Sequence, residues 1–261
     1  MIDYSYDIEM VKGRIEKGIR TNNRKDDEYR EIKIETGILK NAAGSAKVTL
    51  GKTMIYAGTK LEIGTPYPDT PEEGGITVGV ELSPIGAPEF YAGPPSETSI
   101  ELSRVVDRGI REAKTIDFKK LLLVPKEKAW FVYVDIYVMN HDGNLFDACQ
   151  IAAMAALKTT KIPKIDEDFN QIKGEYAGNL KLEKLPVLNT YSKISNKIIL
   201  DPDLNEDYAT EARLSIAIDD NLNICALQKG EKGFFTQEEL KEIIKTSKKK
   251  YKEMRKIFEK L

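Results

Sequence analysis

The chain of 261 residues has little of several things that chemistry is usually built from. It holds one histidine, two cysteines and one tryptophan, and its 40 Lys and Arg nearly balance 42 Asp and Glu for a formal net charge of −2. With His141 alone, any histidine-based triad would have to use that residue. Zinc would have to combine His141, Cys149, Cys225 and carboxylates without the close Cys or Cys/His spacings such sites use. Cys149 and Cys225 are too far apart in sequence to suggest a disulfide framework, so a reduced, cytoplasmic chain is expected, with both thiols as small core residues. Near-neutral charge excludes a bulk polycation that coats duplexes, although not a local basic patch. No apolar run suits a membrane span or signal peptide: Met1 to Arg20 is charged and amphipathic, and Phe146 to Leu157 is short and carries Asp147 and Gln150.

What is present reads as an α+β chain. Ile8, Val11, Ile15 and Ile19 predict a helix over 4–19. From Glu31 to Pro84 the hydrophobic period changes to two, and turn signals at Asn41, Gly44, Gly51 and Gly64 predict an antiparallel meander. Residues 64–95 hold seven of the eleven prolines and six of the eighteen glycines, yet the strand-like Ile76–Val80 inside them favours surface loops on a sheet over a tether. Thr98-Ser99-Ile100-Glu101 is read as the capping box of a helix after Pro94-Pro95, with Leu102, Val105, Val106, Ile110 and Ala113 on its inner stripe. Strands are expected at 121–124 and 129–139, then an Ala-rich helix over 146–158. Further strands are expected at 184–191, 196–200, 212–218 and 222–228. The last helix is capped by Thr236 and Glu239, with a stripe of Leu240, Ile244, Ser247, Tyr251, Met254, Phe258 and Leu261 against a sheet or partner helix. Each half runs strands then helix, with 159–183 as the expected seam.

Chemistry-bearing candidates are few. Three of the nine arginines, Arg104, Arg108 and Arg111, fall within eight residues and, at 100° per residue, share the helix face opposite Leu102, Val105 and Val106. Such a face can track a nucleic-acid backbone. It can equally be a solvated face whose arginines pair with Glu101 and Asp107. Asp142-Gly143-Asn144 sits between a buried strand and a helix, where backbone N–H groups can meet a phosphate or simply form a turn. His141 beside it reads more readily as a strand-end residue than as a base. Asp201, Asp203, Glu206 and Asp207 could converge on Mg²⁺ or act as an acid, or could form a polar turn around Pro202.

Longer runs carry a family likeness. Asp27-Glu28-Tyr29-Arg30, Gly44 to Gly51, Pro68-Asp69-Thr70-Pro71, Glu81-Leu82-Ser83-Pro84, Gly93-Pro94-Pro95 with Ile100 to Arg111, Val134 to Val138, His141 to Leu145 and Gln228-Lys229-Gly230 resemble RNase PH-like proteins over almost the whole chain. The nearest group is the non-catalytic RNase PH-type subunit of the archaeal exosome. The resemblance implies an RNase PH fold of two related halves, mixed or antiparallel sheet packed with helices, at 29–163 and 186–255. It implies an alternating six-membered ring with a catalytic RNase PH-like partner, RNA-binding cap subunits, and RNA shortened from its 3′ end by phosphate. It also places RNA contacts at Arg104, Arg108 and, less strongly, Arg111.

Where active members carry a Gly-x-Arg loop, this chain has Gly143-Asn144-Leu145, and where they carry the key Asp it has Arg213. Leucine offers phosphate no charge or donor, and an arginine releases no proton at neutral pH. The expectation is therefore no catalytic residue, metal or cofactor of its own. Inorganic phosphate, with Mg²⁺ as a further candidate, would belong to the partner. A self-sufficient phosphorolytic exoribonuclease and a scaffold without an RNA role are the alternatives.

Overall fold

A computed structural model describes residues 5–20 and 23–261. The chain begins with helix α1 (Ser5–Glu16), shorter than the predicted 4–19, of which position 4 lies outside the described residues. Gly18, at φ +70°, ends it: its N–H donates to Ile15 O, and Ile19 N–H to Arg14 O. Val11 and Ile15 bury against Ile194, Ile199 and Ala209, while Ile19, past the turn, is left exposed.

Strands β1 (Ile32–Thr36), β2 (Gly44–Leu50) and β3 (Thr53–Gly64) form the expected meander, with Val48 opposite both Ile34 and Ile55. The next strand departs from it. β4 (Gly75–Leu82) does not turn back on β3; it runs parallel to β6 (Lys128–Asn140), Val78 opposite Val134. The crossover that a parallel pair requires is α2 (Glu97–Glu112). The sheet order is thus β1-β2-β3-β6-β4, with the short β5 (Leu122–Val124) also on β6.

Helix α3 (Leu145–Lys158) follows and buries every residue from Leu145 to Leu157. Its alanines let both sheets approach. At Gly44 on β2 a side chain would lie 2.4 Å from Ala156 O, so only glycine fits. The expected seam is an ordered hairpin, β7 (Lys161–Ile165) with β8 (Gln171–Asn179). The second sheet is antiparallel, in the order β10-β9-β11-β12: β9 (Val187–Ile194), β10 (Lys197–Leu200), β11 (Ala212–Ile218) and β12 (Ile224–Gly230). Between β10 and β11 the acidic segment contains a short helix, α4 (Leu204–Tyr208), capped reciprocally by Asp203 and Glu206.

The last helix, α5 (Gln237–Phe258), carries the predicted Thr236–Glu239 capping box. Ile243, Ser247, Tyr251, Met254 and Phe258 are buried, and the helix packs on β9 and β11 of its own chain. Leu240 and Ile244 are partly covered, and Leu261 lies beyond the helix, exposed. The core runs unbroken from Val48 and Ile55 of the first sheet through α3 to Leu214 and Ile216 of the second. No helix among the described residues is long and apolar enough to cross a membrane.

Candidate functional site

Helix α2 starts earlier than its sequence suggests. Ser96, the first residue free of the Pro94-Pro95 constraint, is the N-cap and accepts from Ser99 N–H at 3.2 Å. The expected box at Thr98 does not form. Ser99 Oγ donates instead to Val80 O at 2.5 Å and Ser103 Oγ accepts from Val80 N at 2.9 Å, fastening the helix to β4. Glu101 is left free to reach elsewhere.

The three arginines of α2 differ in what holds them. Arg111 is paired, its Nε and Nη2 donating to Asp107 at 3.1 and 2.9 Å and Nη2 also to Ile76 O at 2.8 Å. Arg108 donates to the neutral Oε1 of Gln228, on β12, at 3.0 Å. Arg104 is exposed and makes no hydrogen bond or ion pair among the described residues. All three line one open groove of about 460 Å³, together with Tyr67, Thr77 and Glu112. Only Arg111, then, fits the paired-face alternative. Glu101 pairs with none of these arginines: it accepts from Arg213 Nη2 at 2.6 Å, tying β11 to α2.

Arg213 packs on Phe146, the residue that follows the loop at 143–145. Its guanidinium lies 4.2 Å over the Phe146 ring, with Glu231 3.8 Å away. The loop is closed from every side. Gly143 N–H donates to His141 Nδ1 at 3.3 Å and Asn144 N–H to Asp207 Oδ2 at 3.1 Å. Asn144, left-handed at φ 46°, caps α3 by accepting from Asp147 N–H. Its amide donates to Asp147 at 2.9 Å and Asp201 at 2.8 Å. Gly143, at φ +88°, lies where a side chain would sit 2.3 Å from the Asp203 carbonyl carbon. Leu145 is buried at 6% exposure. The N–H groups of Gly143 and Asn144, the loop donors that could greet a phosphate, already have partners.

Asp147, a mere interruption of an apolar run in the sequence, is a hub. Its carboxylate accepts from Tyr29 Oη, Asn144 Nδ2, Thr190 N and Thr190 Oγ1 at 2.7–3.0 Å. Burial nonetheless pushes its carboxyl up to about 6. Burial likewise raises the Asp207 carboxyl to about 6. It depresses His141, stacked on Phe90, below the usual histidine range.

The acidic segment does not converge on a cation. Three arginines that precede the first strand occupy it. Arg20 grips Glu206 bidentately at 3.0 and 2.7 Å, Arg24 reaches Asp201 Oδ2 at 3.1 Å, and Arg30 holds Asp201 through Nε at 3.0 Å and Nη2 at 2.8 Å. Arg30 also donates to Asp142 O and Gly143 O, so the knot braces the loop. Among the described residues no group of three or more His, Cys, Asp or Glu side chains is arranged to hold a metal ion. Cys149 is buried, and Cys225 Sγ donates to Ala217 O.

Comparison with known proteins adds to this geometry. The 3′ exoribonuclease family, domain 1, matches residues 28–163, and domain 2 of that family matches residues 184–250. Exosome complex component Rrp42 of Thermococcus gammatolerans is 46% identical over 248 residues, covering 93% of this chain and 90% of that protein. Its counterpart from Methanopyrus kandleri is 41% identical over 94% of this chain and 92% of its own length. A chain in the solved Archaeoglobus fulgidus exosome with RNA bound to the active site is 38% identical, with TM-score 0.91 over 97% of this chain and 98% of that one.

Proposed function

The chain belongs to the 3′ exoribonuclease family of RNase PH type, and from that premise we propose that it is the non-catalytic, RNA-positioning subunit of an archaeal exosome ring. Beside it a catalytic RNase PH-like subunit would shorten RNA from the 3′ end by phosphorolysis. RNA-binding cap subunits complete the assembly, in the cytoplasm. One observation carries the non-catalytic part: Arg213 stands in place of the acid, its guanidinium bonded to Glu101 at 2.6 Å. The loop in front offers no arginine, and its Gly143 and Asn144 N–H groups are taken by His141 and Asp207.

RNA positioning falls to α2. Among the described residues Arg104 has no partner and Arg108 only a neutral one, so both keep their charge for phosphate oxygens. Contacts of this kind hold a strand without reading its sequence, which suits a degrader that moves along RNA. Arg111, already neutralised by Asp107, contributes least. Inorganic phosphate would bind and attack at the partner's site.

The experiment is reconstitution. The isolated chain should show no phosphate-dependent shortening of RNA, and the ring formed with the catalytic subunit should degrade it. Robust phosphorolysis by the pure chain would establish the self-sufficient enzyme instead. In the ring, Arg104→Ala with Arg108→Ala should weaken RNA binding with a shallower salt dependence; unchanged affinity would mean scaffolding alone.

A further inference from the structure

The groove beneath α2 holds a residue that neither charge nor the phosphate argument accounts for. Tyr67, on the loop between β3 and β4, is 57% exposed and lines the groove with Arg104 and Arg108. A large aromatic left in water beside unpaired arginines is the pairing that single-stranded nucleic-acid sites use: cations follow the backbone and a ring takes the base.

The ring is held in place. Pro66 and Pro68 flank it, fixing φ on either side, and the Tyr67 carbonyl accepts from Thr70 N–H at 3.0 Å, closing a turn. The loop is anchored further along, where Pro71 O accepts from Lys126 N–H at 2.9 Å. Beneath, Tyr67 meets Phe131 edge to face, with centroids 5.6 Å apart and planes at 88°. Phe131 in turn sits in a slot that two glycines open, since a side chain at Gly75 would come within 2.9 Å of its ring and one at Gly64 within 3.1 Å. A ring already ordered loses little freedom when a base stacks on it.

Building on the RNA-positioning reading, we infer that Tyr67 is a stacking platform for one base of the RNA strand whose phosphates Arg104 and Arg108 hold. The interaction is with the π-face, so it tolerates any base. A neutral ring releases no counterion, and that separates its contribution from the arginines'.

The test uses the ring reconstituted with its catalytic subunit, a labelled oligoadenylate RNA, and affinity measured over a range of salt. Tyr67→Ala should weaken binding about fivefold or more while leaving the salt slope unchanged, and Tyr67→Phe should bind as the parent does. Tyr67→Leu keeps apolar cover on Phe131 without an aromatic face, and should match Tyr67→Ala. Parental affinity in Tyr67→Ala and Tyr67→Leu rings, with the Arg104→Ala/Arg108→Ala ring weakened, would overturn the platform and leave RNA positioning standing. If the arginine ring also bound as the parent does, the RNA-positioning reading would fall and the platform with it. A loss restored by Leu but not specific to the aromatic face would equally overturn stacking.

Discussion

Arg213 Nη2 and Glu101 Oε1 lie 2.6 Å apart, joining β11 of the second sheet to the helix that carries Arg104 and Arg108. At the position where the family resemblance expects a catalytic acid, the side chain thus bears structure. Arg213→Ala leaves Glu101 without its partner and uncovers Phe146, and should cost about 1–3 kcal/mol in urea unfolding. Arg213→Asp should cost more, because it sets a carboxylate near Glu101 and Glu231. It should also leave the isolated chain without phosphorolysis, since the loop still lacks its phosphate grip.

Gln228 controls the charge that Arg108 shows. Replacing it with Glu adds a carboxylate at the 3.0 Å contact and neutralises the arginine. Under the RNA-positioning reading, the Gln228→Glu ring should bind RNA more weakly, its log–log salt slope smaller by about 0.7 for the one phosphate lost. Gln228→Ala should leave the slope as it is. Fluorescence anisotropy at several salt concentrations distinguishes the two.

The Arg20–Glu206 pair is sealed, with side-chain exposures of 0% and 2%. Arg20→Ala leaves Glu206 only the longer contact with Arg24 at 3.4 Å and the Asp203 N–H, and should cost about 3 kcal/mol by equilibrium unfolding.

Asp207 makes stability depend on acidity. Folded, its carboxyl keeps a proton up to about 6; unfolded, it gives the proton up near about 4. Between those values the folded state binds more protons, so stability declines as pH rises from about 4 to about 6 and is level above. Asp207→Asn retains an acceptor for Asn144 N–H and removes the titration. Its melting curve should lose part of the slope in that window, Asp147 supplying the rest. At pH 7 it should be more stable by about 1 kcal/mol, since burial disfavours the charged carboxylate there while Arg213 and Arg30 offset part of that cost.

Periodicity carried most of the secondary structure, because burial of Leu102, Val105 and Val106 or of Ser247, Tyr251 and Met254 leaves a mark in the chain itself. It misread what depends on competition or distance. Ser96 and Thr98 are both good caps, and the residue next to the prolines won. β4 alternates like its neighbours, but nothing local tells a strand to pair in parallel with a partner more than fifty residues on. Spacing likewise offered Glu101 to the arginines of its own helix, whereas its partner is 112 residues away. Nothing local marks Arg20, Arg24 and Arg30 as buried, because the carboxylates they neutralise lie 171–186 residues further along. The family resemblance, not pattern, linked 143–145 to Arg213, and Phe146 is where the two meet.

Helix α3 has no solvent face from Leu145 to Leu157, because the first sheet covers one side and β9 of the second covers another. Two domains with separate sheets would ordinarily melt as two units. Here neither can loosen without stripping the helix on which the other rests, so heat or urea should give one cooperative transition reported alike by every probe. A protease cut in the exposed β7–β8 hairpin should leave two fragments that stay together until both unfold.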